Sequence, residues 1–445
     1  MDNVSLKQRW PLTLLLLWVA LLLLLHSPQQ SFMAHDEGYY AQQARWIVER
    51  GDWITVPWAG HTGIVPLYDR TIGLQWLIGL SYRLLGRSEW TARLPIALAS
   101  LLSVGLTYGI GCHCFSRRVG LLGGAILATT PIWAQASWLA TQDIPLVCLE
   151  LLGIWALLQA ERSPHRFYWG LLAGSTVGLG LLVKSVMIVL PLAAIAPYLL
   201  LSHRRHRHLT NPGLYLGLIL GLIPFTLWLG LSLVQYGWLP LQQLFGKLLL
   251  LSDESFHQTG PLYYLWNIPA NSFPWPFFAV GGLFMLLQRP KKPHRILLWL
   301  GYPSALLLLL TCFKTRTWYY ALQLCPFIAL LAGYCLATIG QAYQQRKHPR
   351  VPTVLSYISG LLGLLLAIAG FVLILFPSRF GSEMQIYGWV GLALGIGLML
   401  PFTVLRRDRA RKRSWLWQLS WPAALWMAIA ALYLTGLWGN YSPAV

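Results

Sequence analysis

The chain has 445 residues, of which 56% are hydrophobic and only 11% are charged, and its formal net charge is +19. Average soluble domains carry roughly 25% charged residues, so this composition excludes an ordinary soluble globular protein. The basic residues are scattered over many short polar segments, which argues against a nucleic-acid-binding surface. It favours a membrane protein whose basic loops mark topology and contact anionic lipids.

Thirteen apolar segments are candidates for membrane-spanning helices, since a span needs about 20 mostly apolar residues to cross ~30 Å of hydrocarbon. In chain order they are residues 10–25, 94–111, 119–137, 144–160, 168–183, 185–201, 213–236, 271–287, 296–312, 318–339, 352–376, 387–405 and 415–434. The sequence therefore predicts an all-α integral membrane protein of about thirteen transmembrane helices.

The distribution of basic residues predicts the orientation of these spans. If the N-terminus is cytoplasmic, alternate threading places 22 of the 33 lysines and arginines in cytoplasmic segments. The positive-inside rule expects such an excess, so we predict a cytoplasmic N-terminus and an external C-terminus. The segment after the first span, residues 26–34, offers no small-x-small cleavage site. We therefore expect an uncleaved first helix and not a signal peptide.

The first external loop, residues 27–91, holds six of the fourteen acidic residues. Residues 38–50 and 71–85 have helical spacing of apolar residues, but each is too short to cross a membrane. The predicted apolar faces carry Tyr40, Ala44 and Ile47 in the first helix, and Leu74, Leu77, Ile78, Ser81 and Leu85 in the second. We expect two amphipathic helices that lie on the outer membrane surface and roof a cavity.

Four acidic residues, at three places in the predicted external segments, are candidates for acid–base chemistry. Asp36-Glu37 precedes the first surface helix, Asp69 precedes the second, and Asp143 starts the fourth span. Carboxylates at these positions also suit helix capping and the helix dipole. The residues alone leave both interpretations open.

Basic residues on the outer side run against the usual bias and indicate a phosphate partner. Lys184 interrupts the apolar stretch 168–201, where a charge is costly and by default functional, although a lysine snorkelling at a tight turn is the alternative. Lys314 and Arg316 crowd another outer turn. His257, in the external segment 239–270, is either a substrate contact or a solvent-exposed loop histidine.

The motifs of these external segments resemble those of a known family. They are His35-Asp36-Glu37-Gly38-Tyr39-Tyr40-Ala41 after the first apolar helix, Gly51-Asp52-Trp53-Ile54, Tyr68-Asp69-Arg70, Asp143, Lys184 after Gly-Leu-Leu-Val, and Lys314-x-Arg316-x3-Tyr320 with Pro326 six residues on. Over most of residues 10–340 the chain resembles the bacterial type of the C-type (GT-C) membrane glycosyltransferases, specifically the family of protein O-mannosyltransferases and of the aminoarabinose transferase that modifies lipid A. It departs from that family at Arg70 and Thr71, where bacterial relatives usually have lysine and proline.

The resemblance implies transfer of a sugar from a polyprenyl-phosphate carrier to an acceptor hydroxyl, with inversion at the anomeric carbon. Asp36 is then the expected general base, with Glu37 and Asp143 as further catalytic candidates. Four cations are expected to bind the donor phosphate, namely Arg70, Lys184, Lys314 and Arg316. The expected substrate contacts are Asp69, His257 and Tyr320.

The same resemblance divides the chain into a catalytic transmembrane domain, residues 1–345, and C-terminal spans without an extended soluble domain, residues 346–445. The expected location is the inner membrane, with the active site on the extracytoplasmic face. Nothing in the sequence selects the sugar or chooses among a lipid, glycan or protein acceptor. No cofactor and no metal site is predicted, and a divalent metal stays open. A transporter or lipid flippase is the alternative, but no internal repeat supports it.

Overall fold

The computed structural model describes residues 10–25, 31–33, 36–60, 63–253, 260–288, 296–345, 350–408 and 414–438. Its elements in chain order are α1 Trp10–Leu24, α2 Glu37–Arg50, β1 Pro57–Gly60, β2 Gly63–Pro66, α3 Gly73–Leu85, α4 Glu89–Cys114, α5 Arg117–Ala128, α6 Pro131–Ala136, α7 Asp143–Ala160, α8 Arg166–Lys184, α9 Val189–Leu201, α10 His203–His206, α11 Pro212–Tyr236, α12 Leu239–Asp253, α13 Tyr263–Asn271, α14 Trp275–Gln288, α15 Tyr302–Cys312, α16 Cys325–Gln344, α17 Arg350–Leu375, α18 Pro377–Phe380, α19 Ser382–Asp408 and α20 Ser414–Leu434. Short 3₁₀ turns cover Ser185–Ile188, His208–Thr210 and Trp318–Leu324.

The structure confirms a helical membrane protein, but it does not confirm the count of thirteen spans. Seven helical stretches of the described residues are long and apolar enough to cross a membrane, or eight if α13 and α14, bent by 106°, form one span. Each predicted span nevertheless falls on one helix or on two consecutive ones. For example, the predicted span 119–137 is divided between α5 and α6 at Thr129 and Thr130.

Residues Arg166–Leu201 form one uninterrupted helical stretch of 36 residues. Its two halves, α8 and α9, nevertheless run in opposite directions. Arg166, at the start of α8, donates a hydrogen bond to the carbonyl oxygen of His206, which follows α9, at 2.6 Å. Ser185 adopts a positive φ of 51° at the other end of α8, a backbone conformation that non-glycine residues rarely adopt. The chain therefore turns back at Lys184, as the sequence predicted for this pair of spans.

The helices pack around α16 as the central element. Of the 18 most apolar consecutive residues in Trp318–Gln344, 83% are buried, whereas the corresponding share in α17 is 22%. Helix α17 therefore lies at the periphery. Small residues allow the closest helix contacts. Glycines at every fourth position, such as Gly174 in α8 and Gly217 in α11, face each other's helices, and a Cβ at either position would overlap backbone atoms of the partner helix.

Both predicted surface helices are present as α2 and α3, and they pack against each other. The predicted face of α2 is buried throughout, but the predicted face of α3 is wrong in part. Leu77 and Leu85 are 41% and 58% exposed, because α3 packs on α2 and α4 from one side and leaves its other side open. The loop also contains a hairpin that the sequence analysis did not predict, in which β1 pairs antiparallel with β2.

Candidate functional site

A cavity of about 530 Å³ lies where the segment between α1 and α4 meets the start of α7, the end of α8, the middle of α12 and the turn Trp318–Leu324. Its polar lining brings together segments that are far apart in the sequence. The polar and charged lining residues are Asp36, Tyr40, Asp69, Arg70, Thr71, Thr141, Gln142, Asp143, Lys184, Ser185, Lys247, Thr315, Thr317, Tyr319 and Tyr320. Six of the predicted site residues are among them: Asp36, Asp69, Arg70, Asp143, Lys184 and Tyr320.

Helix ends deliver three of the six charged side chains of this cavity. Asp36 immediately precedes α2, Asp143 is the first residue of α7, and Lys184 is the last residue of α8. Asp36 makes no side-chain capping hydrogen bond to the start of α2. Capping therefore does not account for the position of its carboxylate, which leaves the oxygens available to other groups in the cavity.

Thr71 holds the loop before α3 against the other walls of the cavity. Its carbonyl oxygen accepts a hydrogen bond from the Gln142 side chain at 3.2 Å, and its hydroxyl oxygen accepts one from the Ser185 backbone N–H at 3.1 Å. The strained backbone at Ser185 is thus tied directly to the loop that carries Asp69 and Arg70. This connection fixes the relative positions of Arg70, Asp143 and Lys184.

The cavity contains three carboxylates and three cations, and each of them contacts a group of opposite charge. Arg70 contacts Asp36 at 3.3 Å and Asp69 at 3.4 Å, Lys247 contacts Asp69 at 3.0 Å, and Lys184 contacts Asp143. The side chain of Asp36 is 35% exposed, against 11% for Asp143. Asp36 is therefore the more accessible of these two carboxylates to an incoming molecule.

Aromatic rings hold two of the cations in place. The Arg70 guanidinium lies 4.8 Å from the ring centroid of Tyr40, and the Lys184 ammonium lies 5.3 Å from that of Tyr320. Such cation–π contacts favour the charged form at a fixed position. Burial raises the pKa of the Tyr40 hydroxyl, so Tyr40 stays protonated and does not act as a base.

Glu37 does not occupy the position that the sequence analysis expected of a catalytic candidate. Its carboxylate is fully buried against Arg93, with Nε–Oε1 and Nη2–Oε2 distances of 2.6 and 2.8 Å. The same carboxylate accepts hydrogen bonds from the backbone N–H groups of Ala140 and Met33. Four donors on one carboxylate tie α2, α4 and the chain before α7 together, which is a structural arrangement.

Two other predicted residues do not line the cavity. Arg316 donates to the carbonyl oxygen of Thr311 at 2.7 Å, near the end of α15, because helix C-termini attract cationic donors. Lys314 is exposed and does not line the cavity. His257 lies outside the described residues.

Lys247 is a cavity residue that the sequence analysis did not select. It stands on α12, whose Gln243 side chain also accepts a hydrogen bond from the Tyr68 backbone N–H at 2.6 Å. In the sequence Lys247 is a lone cation in an amphipathic segment, a pattern typical of a solvated surface. Its only signal in the sequence is its place in the segment 239–270, which the sequence analysis predicts to be external.

No group of three or more His, Cys, Asp or Glu side chains in the described part of the chain is arranged to hold a metal ion. A second cavity of about 330 Å³ adjoins the first and shares Val186, Met187, Thr315 and Tyr320 with it. Its remaining lining residues are apolar: Val189, Leu190, Leu310 and Phe313. A charged cavity thus continues into an apolar one between α9 and α15.

Comparisons with known proteins show which family and which fold the chain is similar to. Residues 69–229 match the family Dolichyl-phosphate-mannose-protein mannosyltransferase. The chain is 26% identical over 374 residues to an undecaprenyl phosphate-alpha-4-amino-4-deoxy-L-arabinose arabinosyl transferase of Pectobacterium atrosepticum, which covers 80% of this chain and 65% of that relative. A second protein of that name, from Pseudomonas fluorescens, is 26% identical over 97% of this chain and 72% of its own length.

The structure of ArnT from Cupriavidus metallidurans bound to undecaprenyl phosphate superposes with a TM-score of 0.75 at 18% identity, covering 96% of this chain and 78% of that one. At that identity the match shows the fold. The chain spans just under two thirds of the length of the Pectobacterium relative. Together these comparisons confirm the resemblance to the C-type membrane glycosyltransferases and the GT-C fold that it implied.

Proposed function

We propose that this chain, a membrane protein with the GT-C fold, transfers a sugar from a polyprenyl-phosphate carrier to an acceptor hydroxyl with inversion and without a metal. The observation that carries this proposal is the continuity of the charged cavity with the apolar one. A lipid phosphate needs both environments at once. Its prenyl chain requires an apolar groove, and its phosphate requires fixed cations.

Arg70 is best placed to receive the phosphate. Its Nε and one amino group face Asp69 and Asp36, while Nη1 is buried and has no hydrogen-bond partner among the described residues. Phosphate can therefore bind Nη1 without breaking either ion pair, and the guanidinium geometry favours bidentate contact. Lys184 and Lys247 add positive charge from the other walls, so the charge that grows on the departing phosphate is offset in a partly dehydrated site.

Asp36 is the proposed general base. An inverting displacement forms the bond from the acceptor oxygen to the anomeric carbon as the bond from that carbon to the phosphate oxygen breaks. The acceptor proton passes to Asp36, and the electron pair of the broken bond stays on the phosphate. Arg70 contacts both Asp36 and the proposed phosphate position, so a single cation aligns the base with the leaving group.

The donor identity is the direct test of this function, and the relatives supply the first sugar to try, 4-amino-4-deoxy-L-arabinose. Asp69 Oδ1 is buried and without a hydrogen-bond partner among the described residues, so it could accept a hydrogen bond from an amino group. Purified protein in lipid nanodiscs is expected to turn over the undecaprenyl-phosphate-linked sugar. Turnover of a sugar nucleotide with no lipid carrier present would contradict the proposal.

The phosphate cations give a second test, with a matched pair of lysines. Lys184→Gln removes a cation of the cavity and is expected to lower kcat/KM about 10–100-fold, since hydrogen bonds to charged groups contribute about 1.5–3 kcal/mol. Lys314→Gln removes an exposed cation outside the cavity lining and is expected to change kcat/KM far less. Equal losses in the two variants would return Lys314 to the phosphate site, as the sequence analysis expected.

We further propose that the cavity opens on the extracytoplasmic face of the inner membrane. Single cysteines at Arg50 and Arg204, both exposed, test this orientation in intact cells, in a background where Cys112, Cys114 and Cys312, which are not buried, are serine. A membrane-impermeant maleimide is expected to label the cysteine at position 50 and to reach position 204 only after permeabilisation, because the basic segment around Arg204 belongs inside. The reverse pattern would invert the topology.

A further inference from the structure

A third cavity, of about 190 Å³, is lined by residues of α7, α8, α9 and α11 and by Tyr302 of α15. It shares no lining residue with the charged cavity. Its walls are almost entirely apolar, formed by side chains such as Ala173, Ile195 and Leu214. Apolar cavities of about 150 Å³ stay free of water and accept a benzene ring, so a short hydrocarbon segment fits this one.

Four lining side chains carry polar atoms, namely Glu150, Thr176, Tyr215 and Tyr302, and Glu150 is the one acid among them. The Glu150 side chain lines the cavity and is 6% exposed. The Tyr302 hydroxyl donates a hydrogen bond to its Oε1, whereas Oε2 is buried and has no hydrogen-bond partner among the described residues. Buried acceptors without a partner are uncommon in native structures. An ionisable side chain inside a membrane-spanning helix is by default a sign of function.

The chemistry of the lining defines the occupant. No lysine, arginine or histidine is among the described residues that line the cavity, so a phosphate would find no counter-charge there. Oε2 offers one acceptor, which a hydroxyl group satisfies. Leu192 and Tyr215 belong to the lining and are 42% and 51% exposed, so a molecule can enter between α9 and α11 from the bilayer.

We propose that this cavity is a binding site for a neutral, membrane-dissolved alcohol, whose hydrocarbon segment fills the apolar space and whose hydroxyl donates a hydrogen bond to Glu150. The site is separate from the cavity of the proposed sugar transfer. It is expected to bind an alcohol more tightly than a plain hydrocarbon, which cannot donate a hydrogen bond, and more tightly than an anionic lipid, which finds no counter-charge there. Selection depends on a single hydrogen bond in a medium that contains no competing water.

Photolabelling tests the site by binding alone, so its result does not depend on turnover. The full chain in nanodiscs is labelled with a diazirine derivative of dodecanol, and the labelled peptides are located by mass spectrometry. We expect label in peptides of α7, α9 or α11, with dodecanol competing strongly and dodecane or phosphatidylglycerol competing weakly. Dodecane that competes as well as dodecanol would overturn the proposal.

Variants assign the label to this cavity. Leu192→Trp fills the mouth and is expected to abolish labelling, while Leu200→Trp, on the same helix at a 63% exposed position outside the lining, is expected to leave it unchanged. Glu150→Leu is expected to weaken dodecanol competition about fivefold, the effect of losing one neutral hydrogen bond, and Glu150→Gln to retain it. Equal labelling of the two tryptophan variants would place the alcohol elsewhere and overturn the assignment.

Discussion

Asp36→Asn is expected to lower turnover by at least about 10²-fold, because general-base catalysis typically contributes about 10²–10⁴-fold in rate. Asparagine keeps the size of the side chain and its ability to contact Arg70, but it cannot take up the acceptor proton. The Asp36 side chain makes no capping hydrogen bond, so the loss of helix stability should be small. Donor affinity is expected to stay near that of the unchanged chain.

Turnover and donor binding are therefore measured side by side in Asp36→Asn, with Asp52→Asn as a matched control. Asp52 also lies in the segment between α1 and α4, but its Oδ1 accepts hydrogen bonds from the backbone N–H groups of Ile54 and Thr55. This places Asp52 in a local turn, so its replacement should leave the rate constant of transfer nearly unchanged. Near-normal turnover of Asp36→Asn would remove Asp36 as the base, and Asp143 and Asp69 would be the next candidates.

Glu37→Ala is expected to destabilise the folded chain by about 3–5 kcal/mol, the usual effect of removing one partner of a buried ion pair. Arg93 is 3% exposed and would lose the carboxylate that neutralises it. The N–H groups of Ala140 and Met33 would lose their acceptor as well. Thermal or denaturant unfolding in nanodiscs measures the change.

Two further variants separate this structural role from a catalytic one. Glu49→Ala removes an acid from the same helix whose partners, Arg45 and Arg87, are exposed, so a much smaller change is expected because surface ion pairs contribute little. Replacing Glu37 and Arg93 together by leucine is expected to recover much of the lost stability, since no unpaired charge is then buried. A Glu37→Gln chain with unchanged stability and no turnover would instead support the catalytic role that the sequence suggested.

Sequence motifs located most of the cavity residues, but they could not tell a cavity residue from a neighbour that is buried in the protein interior. Asp36, Arg70, Asp143 and Lys184 belong to or accompany motifs that resemble those of a known family, and the structure brings all four to one cavity. Glu37 belongs to the same motif as Asp36, yet it faces the opposite way, into the protein interior. Adjacent residues at a helix start point in different directions, so the motif could not separate their roles.

The sequence by itself determined that the chain resides in a membrane and where its helices lie. Composition placed the chain in a membrane, the apolar runs located its helices, and helical spacing identified α2 and α3, because each of these patterns depends on neighbours within a few residues. The tertiary structure alone decided which charges meet. Asp36 and Arg70 are 34 residues apart, Glu37 and Arg93 are 56 apart, and Asp69 and Lys247 are 178 apart. No local pattern encodes such pairs, since the packing of distant helices creates them and determines which charges are buried together.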